Sequence, residues 1–164
     1  MSLRNLGLHV YADSGFADVL GTRFSTTGHV VFLAGGPIFW KSRKQTLVCL
    51  SSTESEFINL TPAGLSLLWI HNLLKDLGHE QLKPMIMFTD LANARLIALN
   101  PLQTARTRYI DIQYKWIIDR IGKGDFDIRH VGTRDMVADG LTKALPREKH
   151  VGFVRLLGLG PCPW

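Results

Sequence analysis

Cysteine is scarce in these 164 residues. Only Cys49 and Cys162 occur, with no CxxC pair, so neither a disulfide framework nor a cysteine-built zinc site is expected and both read as free thiols. Long apolar runs are lacking too: stretches such as Val30 to Ala34 and Leu67 to Ile70 fall far short of the roughly 20 residues that cross a bilayer, so no transmembrane segment is expected. Met1 to Leu8 has no positively charged start followed by an apolar core, the mark of a secretory signal, and an intracellular setting is expected. The GxSxG, P-loop and GxGxxG motifs are missing, which removes the support for nucleophile-elbow hydrolases, NTPases and dinucleotide-dependent dehydrogenases. There is no internal repeat, low-complexity tract or linker.

What is present suits one compact domain over residues 1–164, because 46% hydrophobic residues can bury a single sizeable core. A net charge of +5 and a pI near 9.5 favour a polyanionic partner, since lysine and arginine gain binding free energy by releasing phosphate counterions.

Periodicity orders the chain. Gly7 to Asp13 alternates apolar and polar residues and predicts a first strand ending on an acid, followed by a loop from Ser14 to Thr27. Gly28 to Ala34 and Ile38 to Lys44 flank Gly35, Gly36 and Pro37 as a hairpin, with Gln45 to Leu50 as another short strand. Ser51, Ser52 and Thr53 are N-cap candidates for a long helix, in which Phe57, Leu60, Ala63, Leu67, Ile70 and Leu74 recur at helical spacing until Gly78 stops it. Met85 to Asp90 predicts a strand, Leu91 to Leu99 a helix ended by Pro101, and Tyr109 to Ile121 a further helix. Phe126 to Val131 predicts a strand and Met136 to Ala144 a last helix before Pro146. An antiparallel meander followed by alternating strand and helix implies an α/β fold with a five-stranded mixed sheet, three antiparallel strands then two parallel, flanked by helices.

Asp13, Glu56, Asp90 and Asp139 fall at the ends of these elements. Chemistry in open α/β sheets gathers beyond the carboxyl ends of strands, where Asp13 and Asp90 meet if their strands are parallel neighbours. Carboxylates packed together repel unless hard cations neutralise them, and oxygen ligands suit magnesium or manganese in a two-metal phosphodiester site. The competing reading is that these are four of 14 ordinary solvated acids, with the macrodipole favouring any acid in a helix first turn.

Beyond such patterns, Tyr11-Ala-Asp-Ser14, Ser25-Thr-Thr-Gly-His29, Phe39-Trp-Lys-Ser42 and Leu50-Ser-Ser-Thr-Glu-Ser-Glu-Phe57 closely resemble the ribonuclease H region of copia-type LTR retrotransposon polyproteins. So do Phe88-Thr-Asp90, Arg106-Thr-Arg-Tyr-Ile-Asp-Ile112, Val137-Ala-Asp-Gly-Leu-Thr-Lys143 and Leu145-Pro-Arg-Glu-Lys149. The resemblance covers about residues 7–158 in order, leaving 159–164 as a short tail. It implies a ribonuclease H fold and a catalytic, metal-binding set of Asp13, Glu56, Asp90 and Asp139 holding two Mg2+ ions, for which Mn2+ can substitute. It further implies that Asp13 bridges both ions, that Asp139 lies on the nucleophile side, and that Glu56 and Asp90 lie on the leaving-group side. The activity implied is endonucleolytic hydrolysis of the RNA strand of an RNA/DNA hybrid, leaving 5′ phosphates. The implied partner in the polyprotein is an upstream reverse transcriptase domain, and the implied setting is the cytoplasm or a retrotransposon particle. Two positions depart from the pattern: Gly15 stands where such sequences often carry an aspartate, and Gly132 to Ala138 lacks the loop histidine of cellular ribonucleases H. His130 is the only neighbour and reads as a packing or surface residue.

Glu54 competes with Glu56. Ser51 with Glu54 and Thr53 with Glu56 both have capping-box spacing, so capping leaves the choice open. The resemblance selects Glu56, which precedes the bulky Phe57. As nucleic-acid contacts the sequence offers Ser14, Ser51 and Ser52, with Lys44 on one strand face beside Ser42. Arg106 and Arg108, with Lys115 nearby, suit phosphates of the DNA strand. Trp40 and Trp116 are expected in the core. The alternative function is a domesticated, catalytically silent nucleic-acid or protein-binding module of the same fold. A strand-transfer enzyme of transposase type is disfavoured by the Ser-Ser-Thr-Glu-Ser-Glu helix start and the Leu-Thr-Lys segment.

Overall fold

The computed structural model describes residues 7–16, 23–46, 48, 49, 51–92 and 108–160, with side chains of the last stretch from residue 112 on. The elements run β1 (His9–Gly15), β2 (Thr26–Leu33), β3 (Gly36–Lys44), α1 (Ser52–Asp76), β4 (Met85–Thr89), α2 (Arg108–Gly122), β5 (Phe126–His130) and α3 (Arg147–Leu156). The five strands form one sheet in the order β3-β2-β1-β4-β5. β1 pairs antiparallel with β2 and parallel with β4, while β3 extends the antiparallel side and β5 the parallel side. The expected fold class is therefore the one observed.

Alternation along the central strand divides the core in two. Val10 and Ala12 face α1, where they pack with Leu60, Ala63, Leu67 and Ile70. Tyr11 faces the other way, onto Val30, Phe32, Phe88 and the segment Met136 to Ala138. α1 starts where Ser51 caps it, the Ser51 hydroxyl accepting from the Glu54 amide at 3.1 Å. α1 is long and apolar enough, by length and composition only, to cross a membrane, a property that buried core helices share; half of that stretch is buried in the protein.

Several expectations are corrected. The hairpin turns at Ala34 and Gly35, both with positive φ, so Gly36 and Pro37 belong to β3. No strand includes the described residues of Gln45 to Leu50; Gln45 turns inward, its amide donating to the Ser55 carbonyl at 3.0 Å. Met136 to Ala144 is not an α-helix but contains a short 3-10 turn, Val137–Leu141, preceded by another at Thr133–Asp135. Met136, Val137 and Ala138 are buried in succession, which a helix with one apolar face cannot do. α3 was not foreseen, since Phe153 and Leu157 are its main apolar anchors to the core. Most of the helix expected over Leu91 to Leu99 lies outside the described residues.

Candidate active site

Asp13 sits on the central strand and is 3% exposed. Its backbone carbonyl and that of its β2 partner Gly28 both accept from the Asn59 amide of α1, at 2.6 and 2.9 Å. One helix side chain thus ties α1 to the strand pair that carries the acid. Asp90 follows β4 directly. The last β1–β4 pair is Tyr11 with Phe88, and Asp13 and Asp90 each stand two residues past it, at the carboxyl end of two parallel neighbours. Glu56 lies one turn inside α1.

Asp139 arrives on the Val137–Leu141 turn, which crosses β2 at Gly28. A Cβ at Gly28 would stand 2.7 Å from Leu141 Cβ and 2.8 Å from Thr142 Cγ2, so only glycine admits the turn. Once there, Thr142 donates its hydroxyl to Asp13 Oδ2 and Lys143 donates to Asp139 Oδ1. Gly140 is equally constrained from the far side, because the Phe153 ring of α3 lies 2.5 Å from where its Cβ would be.

The electrostatics join the acids. Burial pushes the Asp13 carboxyl above its usual range, opposed by the Thr142 hydroxyl and Lys143 and reinforced by Asp90 and Asp139. Burial raises Glu56 to about 7, with the charges of Asp90 and Asp13 adding to the rise and Lys143 working against it. Burial alone would lower the Lys143 ammonium; its hydrogen bond to Asp139 and the charges of Asp13, Asp139 and Asp90 raise it overall. Glu56 is thus within electrostatic reach of Asp13 and Asp90, while the Glu54 backbone amide serves the cap. Among the described residues no three His, Cys, Asp or Glu side chains stand at metal-ligand spacing. The donors nonetheless fit a hard cation: all are carboxylate oxygens, they repel one another, and Asp90 Oδ1 is buried without a hydrogen-bond partner.

The residues expected to touch nucleic acid are scattered. Lys44 is exposed at the end of β3, its ammonium 4.4 Å from the Phe24 ring centre, and Ser51 and Ser52 are exposed at the start of α1. Ser14 is buried, its hydroxyl shared with Ser55 and directed at the Thr26 carbonyl, so it presents no free hydroxyl outward. Ser42 donates to the Leu141 carbonyl at 2.7 Å. Arg106 and the Arg108 side chain lie outside the described residues, Lys115 is exposed on α2, and His130 is exposed at the end of β5. Trp116 packs against the core as expected, but Trp40 is 66% exposed, because an edge strand has no neighbour to cover it. Sequence reasoning missed Asn59, Thr142, Lys143 and the close approach at Gly28. The signal for Asn59 was a polar residue three positions after Glu56 within the buried stripe of α1.

No protein-family model matches the chain. Its structure resembles that of LC11-RNase H1 in complex with an RNA/DNA hybrid, with a TM-score of 0.60 at 12% identity, covering 82% of this chain and 93% of that one. It likewise resembles the foamy viral protease-reverse transcriptase in complex with RNA/DNA hybrid, with a TM-score of 0.60 at 14% identity, over 87% of this chain and 20% of that one. The protein has the ribonuclease H fold. In sequence it is 35% identical over 158 residues to the retrovirus-related Pol polyprotein from transposon RE2 of Arabidopsis thaliana, covering 96% of the chain. Among its homologues are copia-type retrotransposon Pol polyproteins, and the chain spans 11% of the length of these curated relatives.

Proposed function

We propose that this protein is an endonuclease that hydrolyses the RNA strand of RNA/DNA hybrids, acting as the ribonuclease H part of a retrotransposon reverse transcriptase. What supports the reading is the coupling of Asp13, Glu56, Asp90 and Asp139 beyond the carboxyl ends of β1 and β4: Glu56 feels the charges of Asp90 and Asp13, and Asp13 those of Asp90 and Asp139. Surface acids would be dispersed in water and uncoupled. The four carboxylates would hold two magnesium ions, or manganese, which supply the Lewis acidity that activates water and stabilises a departing 3′ oxygen. Asn59 and Thr142 orient Asp13, one through its backbone and one through its carboxylate. In the absence of a cation Glu56 is raised to about 7, so cation binding there would compete with a proton near neutral pH. The products carry 5′ phosphates, and the partner domain is a reverse transcriptase within the same polyprotein. Kinship with retrotransposon Pol proteins supports an intracellular setting.

Two observations favour a second reading, a catalytically silent binding module: Lys143 is hydrogen-bonded to Asp139, and among the described residues no three acids stand at ligand spacing. Incubation with labelled hybrid, double-stranded RNA and double-stranded DNA in magnesium separates the two. Cleavage of hybrid RNA alone, stopped by EDTA, supports the nuclease. Binding of hybrid with no cleavage supports the silent module, and equal cutting of double-stranded DNA refutes both.

A further inference from the structure

On the α1 side of the sheet, away from the acid set, a cleft of about 260 Å³ opens between β3 and α1. Lys41 and Arg43 line one wall from the edge strand, with Lys44 at its end; Ile58, Pro62 and Leu65 of α1 form the opposite, apolar wall. None of the residues lining the cleft is acidic, although the chain has 14 acids. Among the described residues neither Lys41 nor Arg43 makes an ion pair. At the α2 end the Gln113 amide oxygen is buried with no hydrogen-bond partner, while the Gln113 backbone carbonyl is occupied by the Thr61 hydroxyl at 3.0 Å. A buried acceptor left open is unfavourable unless a donor arrives from outside.

These features select a ligand that alternates anionic and apolar groups and brings a donor. A nucleic-acid strand does so: phosphates meet the basic wall, sugar carbons meet the apolar wall, and a base N–H or sugar hydroxyl reaches Gln113. The cleft is also joined to the acid set. Gln45, on its lining, donates to the Ser55 carbonyl and to the hydroxyl of Ser14, the residue after Asp13. We propose that this cleft is a second nucleic-acid subsite, which holds the backbone of one strand of the hybrid along β3 and α1. The proposal rests on the nuclease reading for its ligand and extends the footprint beyond the residues that reading uses.

The test is fluorescence anisotropy with labelled hybrid in a salt series, in an Asp13→Asn background with magnesium, after circular dichroism confirms folding. Lys41→Gln with Arg43→Gln should weaken binding about tenfold at low salt and flatten the slope of log affinity against log salt by roughly 1.4–1.8, the value for two lost phosphate contacts. Gln113→Leu should weaken binding severalfold with the slope unchanged, since it removes no charge. Lys123→Gln with Arg129→Gln, on another part of the surface, should change neither. An unchanged slope in the Lys41, Arg43 pair overturns the proposal, as does equal flattening by the control pair. So does competition by poly-glutamate as effective as that by hybrid at matched charge, which would make the cleft an acidic-peptide site. Failure of the nuclease reading shows separately, as a parent that binds hybrid with the full slope yet cuts nothing in magnesium.

Discussion

Glu56 is the acid whose behaviour can be followed without any substrate. Its rise from the ordinary 4.5 to about 7, at 1.36 kcal/mol per pKa unit, sets a ceiling of about 3 kcal/mol. The side chain is only partly enclosed, so solvent screening reduces this to about 1–2 kcal/mol. Between those two pH values the folded protein holds a proton that the unfolded chain has released. The contribution is therefore fully present below about pH 4.5 and lost as pH rises through about 7. Glu56→Gln is neutral throughout and should remove this slope. In metal-free buffer, melting the parent and Glu56→Gln from pH 4.5 to 8 should show the variant gaining on the parent, ending a few degrees higher above pH 7. Added magnesium should recover the parent more than the variant. Glu54→Gln should keep the parental slope and cost at most about 1 kcal/mol at the helix start. If Glu54→Gln flattens the profile and Glu56→Gln does not, the helix is misassigned by two residues; if neither does, the acids are not coupled.

Asp13→Asn, Asp90→Asn and Asp139→Asn should each lower hybrid turnover by about 100-fold or more while remaining folded, a loss of several kcal/mol of cation-borne stabilisation; near-parental cutting by Asp13→Asn refutes the site. Gly28→Ala should destabilise by about 1–3 kcal/mol through the contacts at 2.7 and 2.8 Å and lower turnover beyond what unfolding explains; a parental melting temperature would show that the turn does not cross there. Thr142→Val removes a hydroxyl that lowers the Asp13 pKa, so the acid limb of the pH–rate profile should move to higher pH. An unmoved limb would confine Thr142 to a structural role.

The sheet was legible because strand periodicity survives in the central strands. Val10 and Ala12 alternate with Tyr11 and Asp13, and the same register that makes β1 and β4 parallel neighbours sets Asp13 beside Asp90. Local pattern was less informative where contacts are distant. Which of Glu54 and Glu56 lies nearer the sheet depends on how Phe57, Leu60, Ala63 and Leu67 pack against β1 and β4, which capping-box spacing could not tell. The Val137–Leu141 turn carries no period, because its buried residues are consecutive and its position is dictated by Gly28, more than a hundred residues earlier. Trp40 shows the converse: its chemistry suggests burial, but its place on an edge strand is a property of sheet order.

The seat of Asp139 is built from the far end of the chain. The Phe153 ring holds Gly140 from below, so the acid's neighbourhood is finished only when α3 has folded back beneath it. A proteolytic cut between Leu145 and Phe153 would therefore release a fragment that has every acid of the set but has lost the ring packed under Gly140, leaving the turn held through Gly28, Ser42 and Thr142. The integrity of the acid set would then depend on a helix that contributes no acid to it, and whose Phe153 stands fourteen residues further along the chain than the last of the four.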